Sequence, residues 1–153
     1  MLAKTAGTVR YCYNWGLAKW NEMYKNGENC STGSLSRLWT AERPEWSKEV
    51  SRGSQTQAFI SLGAAFAAFF KRRARHPVFH KKGRRDSFYV ANDKGWLKGE
   101  MRIHLPNIGD VRMAEKLRFD GKIQRFVVSK VADKWYVSIS VEMADEPMPE
   151  NEN

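Results

Sequence analysis

Hydrophobic residues recur every three or four positions through the first half of the chain, which is the spacing of one helix face. In TVRYCYNWGLAKWNEMYKNGE this spacing predicts a helix that ends at Asn26-Gly27, because glycine tolerates the left-handed backbone that closes many helices. STGSLSRLWTAE predicts a short capped helix that stops before Pro44. SQTQAFISLGAAFAAFFKRR mixes large apolar residues with alanines, and we expect it to form the central helix of a bundle.

Beyond residue 77 the hydrophobic period shortens to two, which is typical of strands. Short segments rich in β-branched and aromatic residues are separated by Gly, Pro, Asp and Asn: DSFYVAN, MRIHLP, GDVRM, KIQRFVVSK and KWYVSISVE. The last predicts a strand with two distinct faces, one carrying Trp135, Val137, Ile139 and Val141, the other Tyr136, Ser138, Ser140 and Glu142. We expect hairpin turns at Asp120-Gly121 and at residues 132–134.

These patterns predict an α+β protein, with an N-terminal helical bundle followed by an antiparallel β-meander or small barrel. The predicted units are a helical lobe over residues 1–76, a β-rich domain over 77–143 and an acidic disordered tail over 144–153. The tail is rich in Pro, Glu and Asn and lacks apolar periodicity. Most aromatic residues are expected in the core: Tyr11, Tyr13, Trp15, Trp20, Phe59, Phe66, Phe69, Phe70, Trp135 and Tyr136.

A dense basic run joins the two parts. It carries eight Lys and Arg residues and no acid, in a chain whose formal charge is +9. Like charges this close repel one another, so we expect a nucleic-acid phosphate backbone as their partner. We expect the first four to continue the preceding helix until residue 76, where His-Pro stops it. The eight candidates are Lys71, Arg72, Arg73, Arg75, Lys81, Lys82, Arg84 and Arg85.

No catalytic constellation stands out in the sequence. The carboxylates are scattered among basic neighbours and turns, with no pair spaced to share metal ions. Cys12, Cys30 and the three histidines do not complete a zinc spacing, and we expect two reduced thiols. We therefore expect a cytoplasmic protein without a catalytic site, metal or cofactor of its own. No apolar run is long enough to span a bilayer, and no secretory signal is visible.

Five segments resemble, in the same order, the OrfB/TnpB proteins of insertion sequences. VRYCYNWGLAKWNEMYK is similar to the family's opening helix, with its aromatic-x-Tyr-Asn pattern, and AFISLGAAFAAFF to its Leu/Ala/Phe helix. HPVFHKKGRRDSFYV resembles its Pro-x-Phe-x-Lys-Lys…Ser-Phe segment and IHLPNIGDVRM its short strand pair. GKIQRFVVSKVADKWYVSISVE resembles the hairpin that closes the wedge domain, so that the matches extend over residues 7–143.

The resemblance implies a recognition lobe and an oligonucleotide-fold-like wedge, which together hold a guide RNA and a target-adjacent motif in double-stranded DNA. In the family, an RNase H-like domain with two magnesium ions and a zinc ribbon cleaves the DNA. We expect the matching part to lack that domain and the family's first wedge strand. The expectation is therefore a nucleic-acid-binding fragment without the nuclease, with Mg and Zn confined to the missing domain. A separate nuclease-domain subunit is a candidate partner.

The resemblance also implies positions that read the DNA motif, where Arg, Gln and Asn can make bidentate contacts with base edges. By position these are Ser31, Arg52, Thr56, Gln57 and Asn92. Helix capping or surface polarity is the alternative for Thr56 and Gln57, and Gly53 stands where the family has a bulky residue. Aromatic residues near the basic run are candidates for stacking on bases: Phe79, Phe88, Tyr89 and Trp96.

Two other functions remain open at this point. The chain could be a non-cleaving DNA-binding regulator derived from such a transposase, which predicts guide-dependent binding without cleavage. It could also be a general basic RNA-binding protein, which predicts binding that follows charge and salt alone.

Overall fold

Three α-helices form the N-terminal half of the protein. The computed structural model describes residues 1–144, and most of the predicted acidic tail lies outside these described residues. The helices are α1 (Leu2–Lys25), α2 (Thr32–Glu42) and α3 (Arg52–Phe70), with a short 3-10 helix over Glu45–Glu49 between α2 and α3. All three predicted helices are confirmed, and α1 begins several residues earlier than its apolar spacing indicated.

An aromatic-rich core joins the three helices. Trp39 of α2 and Phe59 of α3 are buried, and the Trp15 indole of α1 lies edge-on to Trp39 with ring centroids 5.1 Å apart. The helices α1 and α3 cross closely at Gly16, where an added Cβ would lie 3.1 Å from side-chain carbons of Leu62 and Phe59. A larger residue at this crossing would push the two helices apart.

A buried amide fixes the start of α3. The Gln55 carboxamide oxygen accepts a hydrogen bond from Trp39 Nε1 at 2.8 Å. Its nitrogen donates to the carbonyl oxygens of Ser47 at 2.7 Å and Val50 at 2.9 Å. Because both ends of the carboxamide are satisfied, its burial is tolerated and the 3-10 helix is held against α3.

The helix α3 ends at Phe70, so the prediction that the basic residues extend it to residue 76 is wrong. The backbone N–H groups of Arg72 and Arg73 donate to the carbonyl oxygens of Phe69 and Ala68, both at 2.9 Å. Arg72 takes the left-handed conformation, with φ 56°. This pair of bonds is the Schellman motif, which closes the helix before most of the basic run.

Six strands form two three-stranded antiparallel sheets, which confirms the α+β class. In order of pairing, the first sheet contains β1 (Ser87–Ala91), β5 (Lys122–Val131) and β6 (Lys134–Glu142). The second is a meander of β2 (Trp96–Leu97), β3 (Arg102–Leu105) and β4 (Gly109–Arg112). The predicted turn at residues 132–134 is confirmed between β5 and β6. The predicted hairpin at Asp120-Gly121 is wrong, because β4 and β5 belong to different sheets.

The two sheets and the first turns of α1 share a second core. Phe126 and Val90 from the first sheet, Ile103 and Leu105 from the second, and Ala6 from α1 are all buried there. Because α1 contributes to both cores, it fixes the helices relative to the sheets. The predicted boundary after residue 76 falls in the connection between α3 and β1, and the division into domains stays a prediction.

The outer face of the first sheet is not covered by this core. Tyr136 on β6 is 52% exposed, so the prediction that it lies in the core is wrong. Tyr11 and Phe70, also predicted in the core, are exposed on the helical half. Trp135 is half-buried against the inner face, as its alternation with Tyr136 indicated.

Candidate nucleic-acid interface

The connection between α3 and β1 presents the predicted cations to solvent. All eight are exposed, and within residues 1–144 none forms an ion pair with a carboxylate. They are Lys71, Arg72, Arg73, Arg75, Lys81, Lys82, Arg84 and Arg85. Exposed cations without acidic partners are available to phosphates, and their role in binding nucleic acid stays a prediction.

The connection is tied to the helical bundle at its middle. The His76 ring lies edge-on to Phe66 and Phe69 of α3, with centroid distances of 5.4 and 5.1 Å. Pro77 next to it is buried. After the Schellman motif, the chain therefore turns back along the bundle.

The second half of the connection is held by one face of α1. The His80 ring stacks on Tyr13 with centroids 3.8 Å apart and planes 9° apart. The Asn14 carboxamide donates to the His80 carbonyl oxygen at 3.0 Å and accepts from its N–H at 2.8 Å. Arg10 pairs with Asp86 at 2.6 Å, and both side chains are largely buried. These three α1 residues lie at helical spacing and clamp the loop on both sides of its basic residues.

Burial and charge keep the clamped histidine neutral. Burial lowers the pKa of His80, and the nearby Arg85 and Arg10 guanidinium groups lower it further. Burial also raises the pKa of the Tyr13 phenol beneath it. At neutral pH the stack therefore joins two uncharged rings beside a cluster of cations.

A cleft of about 310 Å³, lined by charged, polar and apolar residues, opens between α1, α3, the clamped loop and the first sheet. Its lining includes one carboxylate, that of Asp86, and four arginines: Arg10, Arg84, Arg85 and Arg125. The helix α3 adds the side chains of Ser54, Gln57 and Ser61. Ser54 Oγ donates to the Tyr89 carbonyl oxygen at 2.7 Å, which holds β1 against α3.

Five of the predicted site residues line this cleft: Phe88, which is only 3% exposed, and four others. Gln57, Arg84, Arg85 and Tyr89 come from α3, the basic run and β1, and all four contribute to the lining. A guanidinium pair beside an amide and a phenol ring can accommodate a phosphate together with a base edge. The fold therefore brings these guanidinium groups, the carboxamide and the phenol ring to one cleft, although they are separated along the chain.

Other predicted base-reading residues lie away from the cleft. Ser31 caps α2, its Oγ accepting from the Ser34 N–H at 3.2 Å. Arg52 donates to Thr40 Oγ1 at 2.6 Å, near the other end of α2, so Ser31 and Arg52 are separated by about 13 Å along that helix. Thr56 is half-exposed on α3. A single base pair cannot be contacted by Ser31 and Arg52 together in this arrangement.

Asn92 follows β1, and its side chain donates to the Ile123 carbonyl oxygen at 3.1 Å. This hydrogen bond fixes the turn that leaves the first sheet. Its predicted role in reading DNA stays a prediction.

The predicted stacking residues differ in exposure. Phe88 is 3% exposed and belongs to the sheet core, so its ring is not available to a base. Phe79 is exposed beside the clamped His80, and Trp96 is exposed on one side while its other side stacks on His104 at 4.0 Å. Of the four candidates, Phe79, Tyr89 and Trp96 keep ring surface that a ligand can reach.

His104, which stacks on Trp96, belongs to a small charged network on the second sheet. Asp110 accepts from Lys98 Nζ at 2.7 Å and lies 2.7 Å from His104 Nδ1. The hydrogen bond from Lys98 and that from His104 hold the pKa of Asp110 below its usual range. This network orients the ring beneath Trp96.

Sequence reasoning missed the α1 side of the site. Arg10, Tyr13 and Asn14 were parts of a helix pattern, and the aromatic-x-Tyr-Asn segment was the signal that could have found two of them. Arg125 carried no such signal, because the register of β5 against β1 places it opposite Ala91.

Among residues 1–144, no group of three or more His, Cys, Asp or Glu side chains is placed to hold a metal ion. In the same part of the chain, no helix has both the length and the apolar character needed to cross a membrane.

Known proteins resemble this chain over nearly its whole length. Residues 1–29, which are α1 and the turn after it, match the helix-turn-helix domain of the IS605 OrfB type. The chain is 28% identical over 146 residues to a protein of Escherichia coli K12 named RNA-guided DNA endonuclease InsQ. It is 28% identical over 157 residues to a protein of Streptomyces pristinaespiralis that is also named as an RNA-guided DNA endonuclease.

These alignments cover 92% and 97% of this chain but 36% and 39% of the two relatives. The chain thus spans less than two fifths of the length of the curated relatives it matches. The fold presents a cleft lined by arginines, a feature that is typical of proteins that bind nucleic acids. Over its N-terminal part, the chain is similar to the OrfB/TnpB family of insertion-sequence proteins, which confirms the resemblance seen in its motifs.

Proposed function

We propose that this chain is the nucleic-acid-binding part of a TnpB-like, RNA-guided DNA endonuclease and that it holds guide RNA and target-adjacent double-stranded DNA. The observation that carries the proposal is the cleft, where Arg84 and Arg85 meet Gln57 and Tyr89. The names of the two relatives support the choice of RNA and DNA as partners.

In this proposal the basic run supplies affinity and the cleft supplies geometry. The eight exposed cations bind phosphates and release counter-ions, which gives sequence-independent, salt-sensitive binding. Arg84 and Arg85 belong to a loop that α1 already holds, so their backbone loses little freedom when a phosphate binds. Gln57 is the cleft residue whose carboxamide can make two hydrogen bonds to an adenine edge.

The proposal for these residues is binding without cleavage. Two-metal cleavage of a phosphodiester requires carboxylates that converge on cations about 4 Å apart. We propose that a nuclease domain, in the same polypeptide or in a separate subunit, supplies them together with Mg and Zn. A plasmid-nicking assay of the chain with guide RNA and Mg²⁺ is expected to show no strand breaks.

The binding proposal is tested through its salt dependence. A variant with Lys81, Lys82, Arg84 and Arg85 changed to Ala is compared with wild type for RNA and double-stranded DNA across a salt series. The slope of the logarithm of affinity against the logarithm of salt is expected to flatten by about 0.7–0.9 for each phosphate that the variant can no longer neutralise.

A matched control removes the same charge elsewhere. Each of its four cations pairs with a carboxylate in the folded protein: Lys4, Lys48, Lys94 and Arg118. Their replacement by Ala is expected to change the slope much less. Equal slopes for the two quadruple variants would contradict a role for this loop. Binding of all DNA duplexes alike would instead favour a general basic nucleic-acid binder.

A further inference from the structure

The outer face of the first sheet is open and has an ordered pattern of side chains. Strand register places Ser87, Ser129 and Tyr136 in one row, then Tyr89, Val127 and Ser138, then Ala91, Arg125 and Ser140. The opposite face carries the buried residues of the core. The outer rows therefore combine two phenol rings and one arginine with small hydroxyl-bearing neighbours.

The ring of Tyr136 has room around it. It is 52% exposed, and its cross-strand neighbour on β5 is Ser129, which is too small to cover an aromatic face. Ser138, two residues further along β6, is also exposed. A planar group can thus lie on Tyr136 without displacing another side chain.

This face is continuous with the arginine-lined cleft. Tyr89, Val127 and Arg125 line the cleft and belong to the same face as Tyr136. Spacings of strands and residues in a sheet place Tyr136 roughly 12 Å from Tyr89. A ligand that lies on Tyr136 can therefore extend along the sheet, past Arg125, to the cations of the cleft.

The charges on this face favour an anionic ligand. Arg125 lies in the third row, Lys134 begins β6, and Lys122 stands opposite Glu142 at the far end. The Glu142 carboxylate accepts a hydrogen bond from Gln124 there, away from Tyr136. These residues of the outer face comprise three cations and one carboxylate, so the face as a whole carries a net positive charge.

We propose that the outer face of the β1-β5-β6 sheet binds an unpaired RNA segment, with one base stacked on Tyr136 and the backbone running past Arg125 into the cleft. The inference rests on the proposed function and adds a surface and a strand type to it. Stacking needs an unpaired base, because a duplex keeps its base faces covered. The hydroxyls of Ser129, Ser138 and Ser140 can exchange hydrogen bonds with ribose 2′-OH groups, which favours RNA over DNA.

The test changes only the ring. Tyr136→Ala is compared with wild type by fluorescence anisotropy on a labelled, unstructured RNA of about 12 nucleotides, which covers the usual site size of such surfaces. Loss of one stacked base is expected to raise the Kd about tenfold. Tyr136→Phe keeps the ring and is expected to bind within about twofold of wild type.

The control residue is Tyr24, which is 71% exposed near the end of α1. Tyr24→Ala is expected to leave the Kd for RNA unchanged. A second variant, Ser138→Glu, places a negative charge on the face without removing a ring and is expected to weaken RNA binding as well. Circular dichroism and thermal melting verify that each variant is folded.

Three outcomes would overturn the inference. Tyr136→Ala could bind the RNA as wild type does, it could weaken a fully paired RNA duplex by the same factor, or it could weaken single-stranded DNA of the same sequence equally. The first outcome would exclude Tyr136 as part of a binding surface. The second would exclude selectivity for unpaired RNA, and the third would exclude recognition of the ribose 2′-OH. If wild type binds no nucleic acid at all, the proposed function fails with it. Normal binding that only the quadruple loop variant reduces would remove the sheet surface alone.

Discussion

The two halves of the basic run have the same charge and different surroundings. Residues 71–75 and residues 81–85 each carry four cations, all exposed. The first half follows directly on α3 and includes the left-handed Arg72. The second half lies between two contacts with α1, the His80 clamp and the Asp86 ion pair, and it opens onto the cleft. The two halves therefore carry the same charge, whereas the second half lies beside the arginine-lined cleft.

The difference shows where the protein can bind a phosphate at a defined position. Ordering one residue's backbone costs about 1–2 kcal/mol, which a flexible loop loses when it binds. Because contacts with Tyr13, Asn14 and Arg10 order the second half when the protein folds, little of this entropy is lost on binding. We therefore expect the second half to contribute geometry and affinity, and the first half to contribute affinity through long-range attraction.

The largest expected effect comes from reversing charge in the two halves separately. Arg84→Glu with Arg85→Glu is expected to weaken RNA and DNA binding at least about tenfold more than Arg72→Glu with Arg73→Glu, because it removes charge-assisted hydrogen bonds inside the cleft. Affinity measured at one fixed salt concentration compares the two double variants directly. Their net charges are equal, so an equal loss of affinity would show that only total charge matters.

A smaller effect is expected when the clamp is loosened without any change in charge. Asn14→Ala removes both hydrogen bonds to the His80 backbone and is expected to lower the free energy of unfolding by about 1–2 kcal/mol. Nucleic-acid affinity should fall several-fold while the salt slope stays that of wild type, since no cation is removed. Chemical denaturation and binding titrations measure the two quantities.

Asn21 supplies the control for this variant, because it lies on the same helix beyond the clamp. Asn21→Ala should leave binding unchanged. If Asn14→Ala destabilises the fold and yet binds as wild type does, pre-organisation of the loop is not important for affinity.

Most elements of the fold could be predicted from local sequence patterns. The three helices and the β5–β6 hairpin follow from apolar spacing and turn residues, which act over a few positions. The end of α3 did not follow, because a Schellman motif with Arg72 at the left-handed position has no glycine to mark it. The hairpin predicted at Asp120-Gly121 is wrong for another reason. This segment connects two different sheets, and pairing between distant strands cannot be read from the local sequence.

The site was predictable only in part. The basic run is a local feature, and Gln57 was predicted from its position relative to the family's central helix. The clamp from α1 depends on contacts between distant parts of the chain. Asn14 and His80 are separated by 66 positions, and Arg10 and Asp86 by 76. Such contacts depend on how the helices pack. The exposure of Tyr136 likewise depended on which face of its strand the core covers.

A third prediction concerns pH and the stacked histidine. Because the folded protein lowers the pKa of His80, the unfolded chain binds more protons between the folded pKa and the ordinary value near 6.5. The stability from the neutral ring is therefore complete above about pH 6.5 and is lost as pH falls below it. The melting temperature of wild type should fall from about pH 7.5 to 5.5.

The reference variant for this titration is His80→Phe, which keeps a ring on Tyr13 and cannot take up a proton. Its melting temperature should change less over the same range, since the other titrating groups are unchanged. Parallel curves for the two proteins would show that His80 does not contribute to the acid sensitivity.

The smallest expected effect separates stability from binding in the first half of the run. Both α1 and α3 end in the Schellman motif, with Gly27 at φ 73° in one and Arg72 at φ 56° in the other. A non-glycine residue in this conformation costs roughly 1–2 kcal/mol, which a change to glycine relieves. Because glycine also has more conformational freedom in the unfolded chain, part of this stabilisation is lost. Arg72→Gly should therefore stabilise the protein by about 0.5–1 kcal/mol and raise its Tm by roughly 1–4 °C.

Gly27→Ala provides the opposite change in the same motif and should destabilise by about 1 kcal/mol. Arg72→Gly should also weaken nucleic-acid binding only slightly, because it removes one cation from the half that has no cleft. A more stable protein with nearly unchanged affinity would place Arg72 among the long-range charges. A large loss of affinity in the stabilised variant would instead show that its guanidinium binds a phosphate directly, and the distinction between the two halves of the run would then fail.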